Sequence, residues 1–98
     1  MTRGDLLLVQ LMEEASEVTK EVSKQLRFGS DSTWSTTKET PSTRVVHELV
    51  DLFTLVDMCQ KEGLLPVLDA VYIEELYQAK KERVEKYLKV SRDEGRMT

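Results

Sequence analysis

The chain has 98 residues, which is the length of one domain, so we expect a single domain over residues 1–98. Charged residues make up 33% of it and hydrophobic residues 40%, and the net charge of −4 argues against a basic surface for a nucleic acid polymer. Cys59 is the only cysteine, which excludes an intrachain disulfide and favours a reducing compartment. No apolar run approaches the roughly 20 residues of a membrane span, so we expect a cytoplasmic protein with no membrane partner.

The first predicted element is an amphipathic helix from about residue 6 to residue 27, with Asp5 as its N-cap. Its apolar side chains recur every three or four residues, on one side of a helix. They are Leu7, Leu11, Ala15, Val18, Val22 and Leu26. Glu14 and Glu17 lie at the border of this stripe, one turn apart, so their carboxylates point the same way. For Glu21, one turn further on, a solvated charge and a residue that orients water both remain open.

A polar loop is predicted at 29–42, where Ser, Thr and Gly dominate, and Gly29 is suited to end the first helix. The loop is long for a connection between packed helices, and long loops are often functional. Trp34, the only tryptophan, lies in it. Its ring either folds back into the core or stacks on a nucleobase.

The second predicted helix begins at Ser42 or Thr43 as N-cap and ends at Gly63. Its apolar stripe consists of Val45, Leu49, Leu52, Phe53, Val56 and Cys59. Glu48 and Asp51 are again three residues apart at the edge of the stripe. If the two helices pack by their apolar faces, four carboxylates meet in one cleft. Four hard oxygen ligands of this kind suit Mg²⁺, with Mn²⁺ as a substitute.

The last predicted helix runs from Pro66 to about Val90, straight or kinked, with an apolar first half and a charged second half. Residues from Ser91 onward are expected to fray. No segment shows strand-like alternation, so the predicted fold is all-α, a compact helical bundle of three to four helices. A domain of this size with extra apolar surface gains stability by association, and we expect at least a dimer.

The pattern Glu-x-x-Glu, a gap and then Glu-x-x-Asp is carried by LLVQLMEEASEVTKEV and HELVDLFTLVDMC. It resembles the MazG-like all-α nucleoside triphosphate pyrophosphatases, which include dimeric dUTPases, dCTP pyrophosphatases and the HisE enzymes. The resemblance covers Leu6 to Cys59, with a looser fit to the last helix. It implies Mg²⁺-dependent hydrolysis of a nucleoside triphosphate, most often a dNTP, to the monophosphate and pyrophosphate. It also implies a dimer or a dimer of dimers.

The same resemblance assigns metal binding and catalysis to four carboxylates, those of Glu14, Glu17, Glu48 and Asp51. It places phosphate-binding basic residues on the last helix, where Lys80, Lys81, Arg83 and Lys86 are available and Lys81 and Arg83 are preferred. The alternative is a solvated charged face. The family's lysine, asparagine and arginine pattern is not met there, because the chain contains no asparagine. Three basic residues nearer the loop are second candidates for the same task, namely Lys24, Arg27 and Lys38.

Gln10 lies one turn before Glu14 and carries both a donor and an acceptor, so it could read the edge of a base. The alternative is an exposed polar side chain without a role. His47 is not expected to bind a metal, and Cys59 is expected to pack in the core. The alternative function is a non-catalytic helical module for nucleotide binding or protein interaction, in which the carboxylates diverge into solvent.

Overall fold

A computed structural model describes residues 1–30 and 39–98 of the chain. In these two ranges the chain forms three helices and no strand. The helices are α1 (Arg3–Phe28), α2 (Pro41–Lys61) and α3 (Ala70–Asp93). The prediction of an all-α fold is therefore confirmed, with three helices. Trp34 and Lys38 lie outside the described residues, and so do the predictions made for them.

Helix α1 begins with a reciprocal cap that involves Thr2 and Asp5. The Asp5 backbone N–H donates to the Thr2 hydroxyl at 3.1 Å, and the Thr2 backbone N–H donates to the Asp5 carboxylate at 3.0 Å. This capping box satisfies two backbone donors that the first turn leaves open. The prediction of Asp5 as the N-cap is wrong, because Asp5 is the third helical residue and Thr2 is the cap.

Helix α2 is capped by Thr40, whose hydroxyl accepts from the Thr43 N–H at 3.3 Å. The predicted caps, Ser42 and Thr43, are wrong because Pro41 is already helical. Proline suits the first helical position, where its missing N–H costs no hydrogen bond. The predicted role of Gly63 is confirmed: it adopts a φ of 76° directly after the helix, and such an angle favours glycine.

Helix α3 begins later and ends later than predicted. Asp69 caps it by accepting from the Tyr72 N–H at 2.9 Å, so the helix starts at Ala70 and Pro66 precedes it. It is continuous to Asp93, and the Arg96 N–H donates to the Ser91 carbonyl at 2.8 Å just beyond its end. The predicted start at Pro66 is therefore wrong, and the helix extends three residues past the predicted end at Val90. A carboxylate cap outweighs the preference of proline for a first turn here.

The chain divides into two compact units, residues 1–66 and residues 67–98. In the first unit α1 and α2 pack antiparallel, with Gly4 beside the side chain of Leu64 at one end. Leu7 and Cys59 are the buried hydrophobic side chains of this unit, and Cys59 is 0% exposed. The expectation that Cys59 packs in the core is confirmed. That residues 1–98 act as one domain stays a prediction.

The buried face of α1 differs from the predicted apolar stripe. Val22 is exposed and Leu26 is 83% exposed, whereas Glu21 is 1% exposed. Leu7, Glu14 and Glu21 are seven residues apart, and this spacing keeps side chains on the seam between two packed helices. On α2 the side chain of Phe53, which belongs to the predicted apolar stripe, is likewise not buried, since it is 63% exposed.

Candidate metal centre

The predicted carboxylates lie on the facing sides of α1 and α2. Because the two helices are antiparallel, a step forward on α1 is matched by a step back on α2. Glu14 therefore lies near Asp51, Glu17 lies near Glu48, and Glu21 pairs with Arg44. The three-residue spacing within each helix is what repeats this match from one turn to the next.

Three of the carboxylates form a group that could hold a metal ion. Glu14, Glu48 and Asp51 each offer an oxygen, and these oxygens lie within 4.8 Å of one another. Glu14 and Glu48 are half-buried, and Asp51 is exposed. Three hard, anionic oxygen donors fit Mg²⁺ or Mn²⁺, which take carboxylate ligands and keep water in their remaining positions.

The surroundings of this group act on the protonation of Glu14. Desolvation raises the pKa of its carboxyl above the usual value, and repulsion from four neighbouring carboxylates raises it further. Those carboxylates belong to Asp51, Glu48, Glu17 and Glu13. A bound divalent cation would replace this repulsion by attraction, so the donor set fits the ion that the sequence predicts.

A second group shares Glu48 with the first. It consists of Glu17, Glu21 and Glu48, whose oxygens also lie within 4.8 Å of one another. Here the protein supplies its own cations. Lys24 Nζ lies 3.3 Å from Glu21 Oε1, and Arg44 Nε lies 3.2 Å from Glu21 Oε2.

Glu21 is therefore a buried and neutralised carboxylate, and the interpretation of a solvated charge is wrong. Burial by itself raises the pKa of the Glu21 carboxyl, but hydrogen bonds from Arg44 and Lys24, together with their positive charges, outweigh it and leave the pKa lowered. Arg44 is the residue that sequence reasoning missed. The available signal was its position four residues before Glu48, which places it one turn away on the same side of α2.

Gln10 lines a surface cavity at the start of α1. The cavity has a volume of about 330 Å³, and Arg3, Leu6 and Leu7 line it as well. Arg3 is held by Glu62 from the end of α2, with Nε at 3.0 Å from Oε1 and Nη2 at 3.1 Å from Oε2. Gln10 is exposed and lies one turn before Glu14. This cavity, which has apolar walls and the Gln10 amide, thus lies on the N-terminal side of the carboxylate group on α1.

The other candidates are placed as follows. Lys81 and Arg83 are exposed on α3, in the second unit. Lys24 is engaged with Glu21, and the Arg27 guanidinium lies 5.1 Å from the centre of the Phe28 ring. His47 Nδ1 lies 3.5 Å from Glu39 Oε1, and His47 belongs to neither carboxylate group.

Comparison of the chain with protein-family models, with curated proteins and with solved structures finds no match. Among the described helices, none combines the length and the apolar content that a membrane crossing needs. The fold and the site define an all-α protein with two overlapping carboxylate groups between antiparallel helices.

Proposed function

We propose that the protein is a Mg²⁺-dependent nucleoside triphosphate pyrophosphohydrolase of the MazG-like kind. The observation that carries this proposal is the convergence of Glu14, Glu48 and Asp51 to within 4.8 Å. Isolated Glu-x-x-Glu pairs are common on helices. Two pairs that meet across an antiparallel interface are less common, and here desolvation and the neighbouring carboxylates raise the pKa of Glu14, as is found at functional sites.

In this proposal Glu14, Glu48 and Asp51 hold the ion. Mg²⁺, when bound, supplies positive charge for the polyphosphate and lowers the pKa of water. Glu17 lies beside Glu48 but outside the first group. We therefore assign it the role of general base, which accepts the proton of the attacking water. Water attacks the α-phosphorus, the bond from that phosphorus to the bridging oxygen breaks, and pyrophosphate leaves. The products are the nucleoside monophosphate and pyrophosphate.

Recognition of the substrate is assigned to the start of α1. Gln10 and the apolar side chains of Leu6 and Leu7 line the cavity there, which suits the flat face and polar edge of a base. Trp34 as a stacking residue, and Lys81 and Arg83 as phosphate-binding residues, remain part of the proposal.

The test is a pyrophosphate-release assay on a panel of ribo- and deoxynucleoside triphosphates, each with Mg²⁺, with Mn²⁺ and with EDTA. We expect release from at least one dNTP with either metal and none with EDTA. Nucleotide binding without release would favour the non-catalytic module. Absence of both binding and release across the panel would contradict the proposal.

We also propose that the protein is a homo-oligomer, a dimer or a dimer of dimers. Helix α3 exposes an apolar series along its length, which includes Ile73, Leu76, Tyr77, Val84 and Tyr87. Isolated helices owe little stability to propensity alone, and packing of an apolar face supplies most of it. A second copy of the chain offers the same apolar face in return, which is the usual basis of a two-fold interface.

Leu76→Glu should shift the protein toward the monomer, because it places a charge within that apolar series. The measurement is light scattering after size exclusion at micromolar concentration, with the helical circular dichroism followed in parallel. Gln78→Glu is the control, since it adds the same charge nearly opposite on the helix, at a residue that is already exposed. A wild-type protein of monomeric mass would contradict the proposed association.

A further inference from the structure

The two carboxylate groups differ in how their charge is balanced. In the second group, Glu21 accepts hydrogen bonds from Lys24 and Arg44. In the first group, no lysine or arginine among the described residues lies within 4.0 Å of a carboxylate oxygen of Glu14, Glu48 or Asp51. Among the described residues, the chain thus supplies two cations to the second group, both at Glu21, and none to the first.

The Arg44 guanidinium contacts two carboxylates, those of Glu21 and Glu39. Its Nε and Nη2 lie 3.2 Å and 3.5 Å from the two Glu21 oxygens, and its Nη1 lies 3.8 Å from Glu39 Oε2. A planar guanidinium that binds two carboxylates loses little freedom per hydrogen bond, so it is a fixed cation. The Glu21 side chain is 2% exposed and that of Arg44 is 37% exposed, so the carboxylate is buried while the guanidinium reaches it from the edge of the interface.

The Glu21–Arg44 pair is also one helical turn from the pair formed by Glu17 and Glu48. Glu21 follows Glu17 by four residues on α1, and Arg44 precedes Glu48 by four residues on α2. A bridge between the helices at this point sets their register for the turn that carries Glu17 and Glu48.

We infer that Arg44 is a positioning residue that acts as the internal cation of the second group. Through Glu21 it fixes Glu17 opposite Glu48, and its charge takes the place of a second divalent ion. The centre therefore binds a single ion, on the side of Glu14 and Asp51. This inference rests on the proposed function, because it concerns the same metal centre.

The experiment counts bound Mn²⁺ by electron paramagnetic resonance and by calorimetry. We expect about one ion per wild-type chain, and about two for Arg44→Gln, because the second group then has three carboxylates and one cation fewer. Arg44→Lys should restore a stoichiometry of about one. The double variant Arg44→Gln with Glu21→Gln should also bind about one ion, since the second group has lost a ligand.

Lys61→Gln is the matched control. It removes one positive charge from α2 and breaks an exposed ion pair with Asp57, and it should leave the count unchanged. If Arg44→Gln loses helical signal in the absence of metal, Mn²⁺ should restore that signal, and failure to restore it at millimolar Mn²⁺ would overturn the inference.

The remaining outcomes separate this inference from the proposed function. A count of one for both wild type and Arg44→Gln, or a count of two for wild type, overturns the inference and leaves the metal centre in place. A wild-type protein that binds no Mn²⁺ overturns both.

Discussion

Glu48→Gln is expected to abolish Mg²⁺-dependent pyrophosphate release while α1 and α2 remain folded. Glu48 is the one residue that belongs to both carboxylate groups, so its loss removes a ligand of the ion and the neighbour of Glu17. Glutamine keeps the size of the side chain and removes its charge. We expect the rate of release to fall on the order of 100-fold or more, which is typical when a metal ligand or its support is lost. The measurement is initial rate against Mg²⁺ concentration.

Asp57→Asn is the control for this variant. It removes one carboxylate from the same helix, six residues beyond Asp51, where Asp57 pairs with Lys61 at 2.9 Å in an exposed position. Exposed pairs of this kind contribute about 0–1 kcal/mol, so both activity and stability should stay close to wild type. If Glu48→Gln releases pyrophosphate at the wild-type rate, the proposed site is rejected whatever the fold shows.

Glu14→Gln is expected to raise the stability of the metal-free protein and to weaken its binding of Mn²⁺. Without metal the variant should melt at a higher temperature than wild type, because desolvation and its carboxylate neighbours disfavour the charge at this position. Its affinity for Mn²⁺ should fall by at least about tenfold, since a ligand is lost. The measurements are thermal unfolding with EDTA and with Mn²⁺, and Mn²⁺ titration.

The pH dependence at Glu14 follows from the same raised pKa. A carboxyl whose folded pKa lies above its unfolded value binds the proton more tightly in the folded state, so metal-free stability decreases as pH rises through that range. Mn²⁺ affinity should instead increase as pH rises through the pKa of Glu14, because below that pKa the proton competes with the ion.

Glu13→Gln is the matched control for the Mn²⁺ titration. Its carboxylate is exposed, it adjoins Glu14 in sequence, and it belongs to neither carboxylate group. Its removal should leave Mn²⁺ affinity within a few-fold of wild type. A Glu14→Gln variant that binds Mn²⁺ as tightly as wild type would show that Glu14 is a surface carboxylate without a role in metal binding.

Much of the local structure could be predicted from residue spacing. The helical periods of α1 and α2 and the positive φ at Gly63 depend on neighbours within one or two turns, which a sequence displays directly. The first residue of each helix was harder to predict. Thr2 and Thr40 are capping residues of the expected types, but several Ser, Thr and Asp residues near each start compete for that role, and backbone hydrogen bonds decide among them.

The sequence by itself determined that this protein is all-α and that Glu14, Glu17, Glu48 and Asp51 recur at the border of helical faces, because side-chain direction in a helix follows from spacing. Only the tertiary structure decided that Glu21 is buried and that Arg44 neutralises it. These two residues are 23 positions apart, on different helices. Their contact depends on the antiparallel packing and register of α1 and α2, which no local pattern specifies.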